Sequence, residues 1–409
     1  MSGRSGATAS ILYLVHDLND PAVERRTAML EAGGARVRLA GFSRGAGRSS
    51  REGRAVDLGR THDARLGHRA ALVALRCADA GRVAARVADL RPDILIARNL
   101  EMLVLAHRVR AALPHAPPVV YECLDIHRLM LGGGPVSRTL RAVEARGMAA
   151  SCGLLVSSPA FLSQYFRLQQ ERALAGLATM LVENRPLERK APAAAAGRAS
   201  ERPGPTEDAV RRPIRIGWFG ALRCRRSLDL LSAFAAAQGG RFEVVLRGRP
   251  ALAAIPDFHD RVRRAPHLSY LGPYAAADLP VVYGEVDLAW AIDFYEAGAN
   301  SAWLLPNRLY ECCAHGAVPI ALAGTQTAAT MRGRGVGIVI ADGSTGALDE
   351  ALGGLDRSLV AGLGLAVRAS DRSLWVAGQG ACDALVETLL AMASRSVSDR
   401  PSERLAVAA

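Results

Sequence analysis

"LLPNRLYECCAHGAVPIAL", Leu304 to Leu322, sets a proline, an Asn-Arg pair and a glutamate ahead of a glycine and a short apolar run. Pro306 has no N–H to leave unsatisfied, so it suits a helix start. Gly316 suits the end of that helix. "AVPIAL" (317–322) then reads as a buried strand. Asn307 and Glu311 stand four residues apart and share one helix face. Free N–H groups and a partial positive charge at the helix N-terminus make a seat for phosphate. A carboxylate one turn further in can accept hydrogen bonds from two neighbouring hydroxyls, such as those of a ribose. A capped surface helix with an ordinary glutamate fits the same residues.

On both sides of this stretch, apolar strands alternate with helical patterns. In the first half the strands are "ILYLV" (11–15), "ARVRLAGF" (35–42), "DILIA" (93–97), "PVVYE" (118–122), "GLLVS" (153–157) and "TMLVE" (179–183). Residues 187–213 are rich in Pro, Ala, Gly and charge and read as a linker. The rhythm restarts with "IRIGWFG" (214–220), "FEVVLRG" (242–248), "LSYLG" (268–272) and "VDLAWA" (286–291), and continues past 317–322 to "GVGIVI" (335–340). Such alternation implies parallel sheets covered on both faces. The expected organisation is an α/β domain at 1–186, the linker at 187–213, a second α/β domain at 214–372, and a C-terminal helix with a polar tail at 373–409. Ligands of open α/β sheets bind beyond the carboxyl ends of the strands, so the strand exits are the places to search.

Composition narrows the classes. The formal charge is +12, but Lys190 is the only lysine in a chain rich in Ala, Gly and Arg, a pattern of biased coding. No nucleic-acid-binding signature accompanies the charge. Attraction to phosphate-bearing ligands or anionic lipid surfaces remains the natural use of it. The seven cysteines form no CxxC pair, so neither a metal site nor a disulfide framework is expected, and a reducing cytoplasm fits. "MSGRSGATAS" lacks the apolar core of a signal peptide, and no run approaches the roughly 18 apolar residues of a membrane span.

Polar residues gather at the strand exits. His16 and Asp17 follow the first strand, Arg98 and Asn99 end "LIARN", and Glu122, Asp125 and His127 lie in "YECLDIHR". The last three can do acid–base work or grip sugar hydroxyls. Asp125 stands two residues before His127, a spacing that suits a carboxylate fixing an imidazole tautomer. In the second half, Gly220 permits close backbone approach. Arg223, Arg225 and Arg226 precede a helix expected to be capped by Ser227, and Gly248 with Arg249 repeats the pattern one strand later. These arginines can neutralise a diphosphate. No G-x-G-x-x-G fingerprint, Walker A sequence or D-x-D pattern occurs. In "HRLMLGGGPVSRTLR" (127–141), apolar residues beside arginines can touch a membrane surface or pack under the next helix.

"IRIGWFGALRCRRSLDLL", "HLSYLGPYAAADLPVVYGEVDLAW" and, most specifically, "LPNRLYECCAHGAVPIA" resemble GT-B glycosyltransferases of family 4 and related bacterial exopolysaccharide enzymes. "VHDLNDPAVERRTAMLEAGGARVRLAGF" and "YECLDIHR" are similar to the acceptor domain of the succinoglycan-type branch. The resemblance implies two Rossmann-like domains facing a central cleft. It implies transfer of a hexose from a UDP- or GDP-linked sugar to a lipid-linked or polysaccharide acceptor, without metal or other cofactor. It places the protein in the cytoplasm, at the inner membrane's periphery. By the same resemblance Gly220, Arg223, Arg225, Gly248, Asn307, Arg308 and Glu311 hold the donor, with Glu311 on the ribose and Arg308 where the family has lysine. His127, Asp125 and Glu122 are the catalytic candidates, and His16, Asp17, Arg98 and Asn99 face the acceptor. Many relatives carry a second glutamate eight residues before this one, where Trp303 stands here. The other readings open at this point are a sugar-nucleotide epimerase and a non-catalytic scaffold of a polysaccharide assembly complex.

Overall fold

The computed structural model describes residues 8–44, 55–61, 66–188 and 212–398. Most of the expected linker, 189–211, lies outside the described residues. The chain divides into two compact units, unit 1 within Met1–Asn184 and Gly378–Ala409, and unit 2 within Arg185–Ala377.

Unit 1 contains β1 (Ser10–Val15), α1 (Pro21–Ala32), β2 (Arg36–Arg44), β3 (Ala55–Thr61), α2 (Leu66–Ala78), β4 (Ile94–Arg98), α3 (Asn99–Ala112), β5 (Val119–Cys123), α4 (Pro135–Ala149), β6 (Gly153–Val156) and β7 (Ala178–Leu181). The strands lie in the order β3-β2-β1-β4-β5-β6-β7, every ladder parallel. β1 and β4 are buried along their whole length, as strands covered on both faces must be. β3 was not among the expected strands. It is an edge strand in which buried Val56 and Leu58 alternate with more exposed Asp57 and Gly59, a weak period-2 signal.

Unit 2 contains β8 (Ile214–Leu222), α5 (Arg225–Ala237), β9 (Phe242–Pro250), β10 (Leu268–Tyr270), α6 (Leu279–Gly284), β11 (Leu288–Trp290), α7 (Asn307–Ala314), β12 (Val318–Leu322) and β13 (Ile338–Ile340). Its order is β10-β9-β8-β11-β12-β13, again all parallel. Both sheets are therefore doubly wound, and the strand order reverses between β1 and β4 and between β8 and β11. Those two places are the switch points at which such sheets bind ligands. The N-cap of α5 is Cys224 and not Ser227, whose hydroxyl is buried and accepts from Trp290 Nε1 at 3.1 Å.

The C-terminal segment is not a separate body. Its helix α8 (Gln379–Ser398) belongs to unit 1, while 373–377 stays with unit 2. Cys382, Leu385, Val386, Leu389 and Met392 form a buried stripe at helical spacing that packs on α1, β4, β5 and β6. Gly153 permits this contact, because a Cβ there would sit 2.3 Å from Met392 Sδ.

Candidate functional site

At the switch point of unit 1, two of the expected site residues turn out to be structural. Glu122 is the penultimate residue of β5 and is 2 % exposed. It receives Arg26 Nε at 2.7 Å, Arg98 Nε at 3.0 Å and the Tyr13 hydroxyl. Arg26 also donates to Val182 O at 2.8 Å, and Arg98 to Ala22 O at 3.3 Å. Burial pushes the Glu122 carboxyl up, but Arg98, Arg26 and the Tyr13 hydroxyl outweigh it and hold the pKa at about 2. A carboxylate so acidic and so enclosed is no general base. Arg98, wholly buried, is likewise not on an acceptor surface. The two close β1, α1, β4 and β5 around one ion-pair network.

Asn99, Asp125, His127 and His16 do come together. They line one part of a cavity of about 930 Å³ in unit 1. Asn99 opens α3 with a left-handed φ of 65°, a conformation asparagine tolerates better than most residues. Its amide donates to Asp125 Oδ1 at 3.2 Å and its oxygen accepts from Leu124 N–H at 3.1 Å, so Asn99 fixes the exposed Asp125 carboxylate. His127 Nδ1 accepts the Leu129 N–H at 3.3 Å, which puts the proton of the neutral ring on Nε2. His16 Nε2 lies 3.7 Å from Asp20 Oδ2, and Asp17 accepts from Asn19 N–H at 3.0 Å, which tightens the turn after β1.

In unit 2 the chain leaves β11 at the sheet's carboxyl edge and returns through α7 to β12, so the N-terminus of α7 lies at that edge. Glu311, one turn in, is 5 % exposed and accepts the Tyr283 hydroxyl at 3.0 Å. His315 stacks on Tyr283 at 6.0 Å, and burial, with Arg372 nearby, lowers its pKa against the pull of Glu311. On the first turn of α7, Arg308 has a buried Nη1 with no hydrogen-bond partner among the described residues. A buried guanidinium nitrogen in that state is costly unless an anion satisfies it.

Arg223 lies on the Tyr295 ring at 4.6 Å and donates to Asp293 at 3.2 Å. Arg225 turns instead to Asp257, at 3.1 Å. Gly220 and Gly248, with φ of 100° and 128°, stand opposite each other in the β8–β9 ladder. A Cβ on Gly248 would sit 1.9 Å from Gly220 O, so the two glycines serve the approach of one strand to the other. Sequence reasoning missed Tyr283, His315 and Tyr295, and it noted Asp293 only as a stand-in for the carboxylate absent at Trp303, not as a partner of Arg223. Nothing in "VVYGE" or "AHG" marks the first two, and the Arg223 partners are reached only through the fold. Among the described residues no group of His, Cys, Asp and Glu side chains is placed to hold a metal ion, and no helix is long and apolar enough to cross a membrane.

No protein-family model matches the sequence. The chain is 46 % identical over 384 residues to the succinoglycan biosynthesis protein ExoL of Rhizobium meliloti (strain 1021), a match spanning 93 % of each chain. Among solved structures, sucrose-phosphate synthase from Thermosynechococcus elongatus matches with a TM-score of 0.60 and 16 % identity, over 95 % of this chain and 97 % of that one. Anabaena HepE in complex with UDP-glucose matches with a TM-score of 0.56 and 16 % identity, over 95 % and 99 %. At such identities these structures speak for the fold alone, two Rossmann-like domains of GT-B type. The chain belongs to the family of the succinoglycan biosynthesis protein ExoL and carries the GT-B glycosyltransferase fold.

Proposed function

We propose that unit 2 binds a nucleotide-diphosphate sugar and unit 1 a lipid-linked acceptor. The observation that carries the donor half is the buried, unpartnered Nη1 of Arg308 on the first turn of α7, one turn before Glu311. The diphosphate sits at the α7 N-terminus, where Arg308, Asn307 and the helix dipole meet its charge. Arg223, held by Asp293 and Tyr295, is the second cation. Glu311, steadied by Tyr283, takes the ribose hydroxyls. The UDP-glucose held by HepE makes a uridine nucleotide the first candidate. The arginines and the helix terminus then carry the leaving-group charge without a metal.

In unit 1, Asp125 is the carboxylate positioned to take the proton of the acceptor hydroxyl, and Asn99 aims it. His127, with its proton on Nε2, donates a hydrogen bond to the sugar or to the acceptor. The enzyme works at the cytoplasmic face of the inner membrane, with exposed Leu129 and Val136 turned towards the lipid surface.

Transfer from a panel of nucleotide sugars to lipid extract tests the reading. His127→Ala is expected to lower turnover at least about tenfold, or roughly 1.4 kcal/mol of barrier, with UDP affinity little changed. Wild-type turnover in a folded variant would remove His127 from the reaction.

A further inference from the structure

The cavity of unit 1 is larger than its polar cluster needs. At about 930 Å³ it stands near the top of the range of roughly 300–1,000 Å³ common for small-molecule sites. Beyond His16, Asn99, Asp125 and His127 the wall carries the charged Glu101 and Arg108, but much of it is aliphatic, with Val73 and Ala74 from α2, Val104 from α3, Leu140 and Val143 from α4, and Leu129. Tyr121 is the one phenyl-type ring among the lining residues, and it is buried with its hydroxyl bound to Glu144 at 2.8 Å. The wall therefore offers no exposed aromatic platform for a sugar, and sugar hydroxyls held against aliphatic carbon would lose their hydrogen bonds. Leu129 and Val143 line the cavity and are also 41 % and 38 % exposed, so its opening carries aliphatic side chains beside the exposed Asp125 and Arg108.

We propose that this cavity seats the hydrocarbon chain of an amphiphilic acceptor, whose polar head meets Asp125 and His127. The proposal rests on the acceptor reading above and deepens it. Of a lipid-linked and a polysaccharide acceptor, the aliphatic wall fits the first. A chain too long for the cavity leaves past Leu129 and Val143.

Alkyl phosphates of ten, twelve and fourteen carbons, kept below their micellar concentrations, are titrated calorimetrically into the full-length protein, and UDP is titrated into the same samples. At about 0.8 kcal/mol per buried methylene, each added carbon should tighten binding roughly fourfold until the cavity is full. Ala74→Phe, which fills the cavity from α2, should weaken dodecyl phosphate at least about tenfold and leave UDP binding alone. Dodecyl phosphate should also slow iodoacetamide modification of Cys77, a half-buried lining residue, in the wild-type chain, whereas inorganic phosphate should not. This second readout does not depend on the variant folding. Affinity independent of chain length, unchanged binding in folded Ala74→Phe, or an unprotected Cys77 would overturn the proposal. UDP binding without alkyl binding defeats the cavity proposal alone. Alkyl binding without UDP binding defeats the donor reading and supports the cavity.

Discussion

Glu122→Ala is expected to destabilise unit 1 by about 3–5 kcal/mol, because it leaves Arg26 and Arg98 buried without their shared carboxylate. For a unit of this size that is a fall in melting temperature of roughly 6–20 °C. All four tryptophans, Trp218, Trp290, Trp303 and Trp375, lie in unit 2. Tryptophan fluorescence should therefore follow unit 2, while far-UV circular dichroism and hydrogen exchange of unit 1 peptides should show the loss. The pH dependence has a definite sign. The folded pKa of about 2 lies below the ordinary 4.5, so the contribution of Glu122 is complete above about pH 4.5 and is lost as pH falls towards 2. Glu122→Gln should flatten that acid limb. A variant of unchanged stability and reduced turnover would restore Glu122 to the chemistry and refute the structural role.

Glu311→Ala should weaken UDP binding by about 1.5–3 kcal/mol, roughly 10- to 150-fold, the cost of losing hydrogen bonds to a charged acceptor. It also leaves the buried Tyr283 hydroxyl without this acceptor, so some stability of unit 2 goes with it. Glu311→Gln keeps an oxygen for Tyr283 and separates the two effects, with binding weakened but the fold retained. Undiminished affinity in either variant, measured by calorimetry, removes Glu311 from the donor site.

The strands at 11–15, 93–97 and 317–322 were legible because a strand buried on both faces must be apolar throughout, whatever its partners. β3 was not, because an edge strand needs only half of that signal. The helix at 307–314 was legible from Pro306, Gly316 and the spacing between them. The fate of polar strand ends was not. Glu122 and Asp125 sit three residues apart in one segment, yet one is sealed among arginines from β4 and α1 and the other stays exposed. That difference comes from contacts 96 and 24 residues away in sequence, which no local spacing encodes. In a chain where nearly every cation is arginine, Arg26 and Arg98 look like any surface pair. The aliphatic cavity was hidden for the same reason, since its walls come from three helices far apart in the chain.

The central claim is that the α7 N-terminus of unit 2 holds the donor's diphosphate. It is tested most directly by titrating UDP and GDP into the wild type and into Arg308→Ala in a calorimeter. One site per chain is expected for at least one of the nucleotides, with at least about tenfold weaker binding in the variant, the loss of a charge-assisted contact. No binding of either nucleotide to the folded wild type, or equal affinity in wild type and Arg308→Ala, would contradict it.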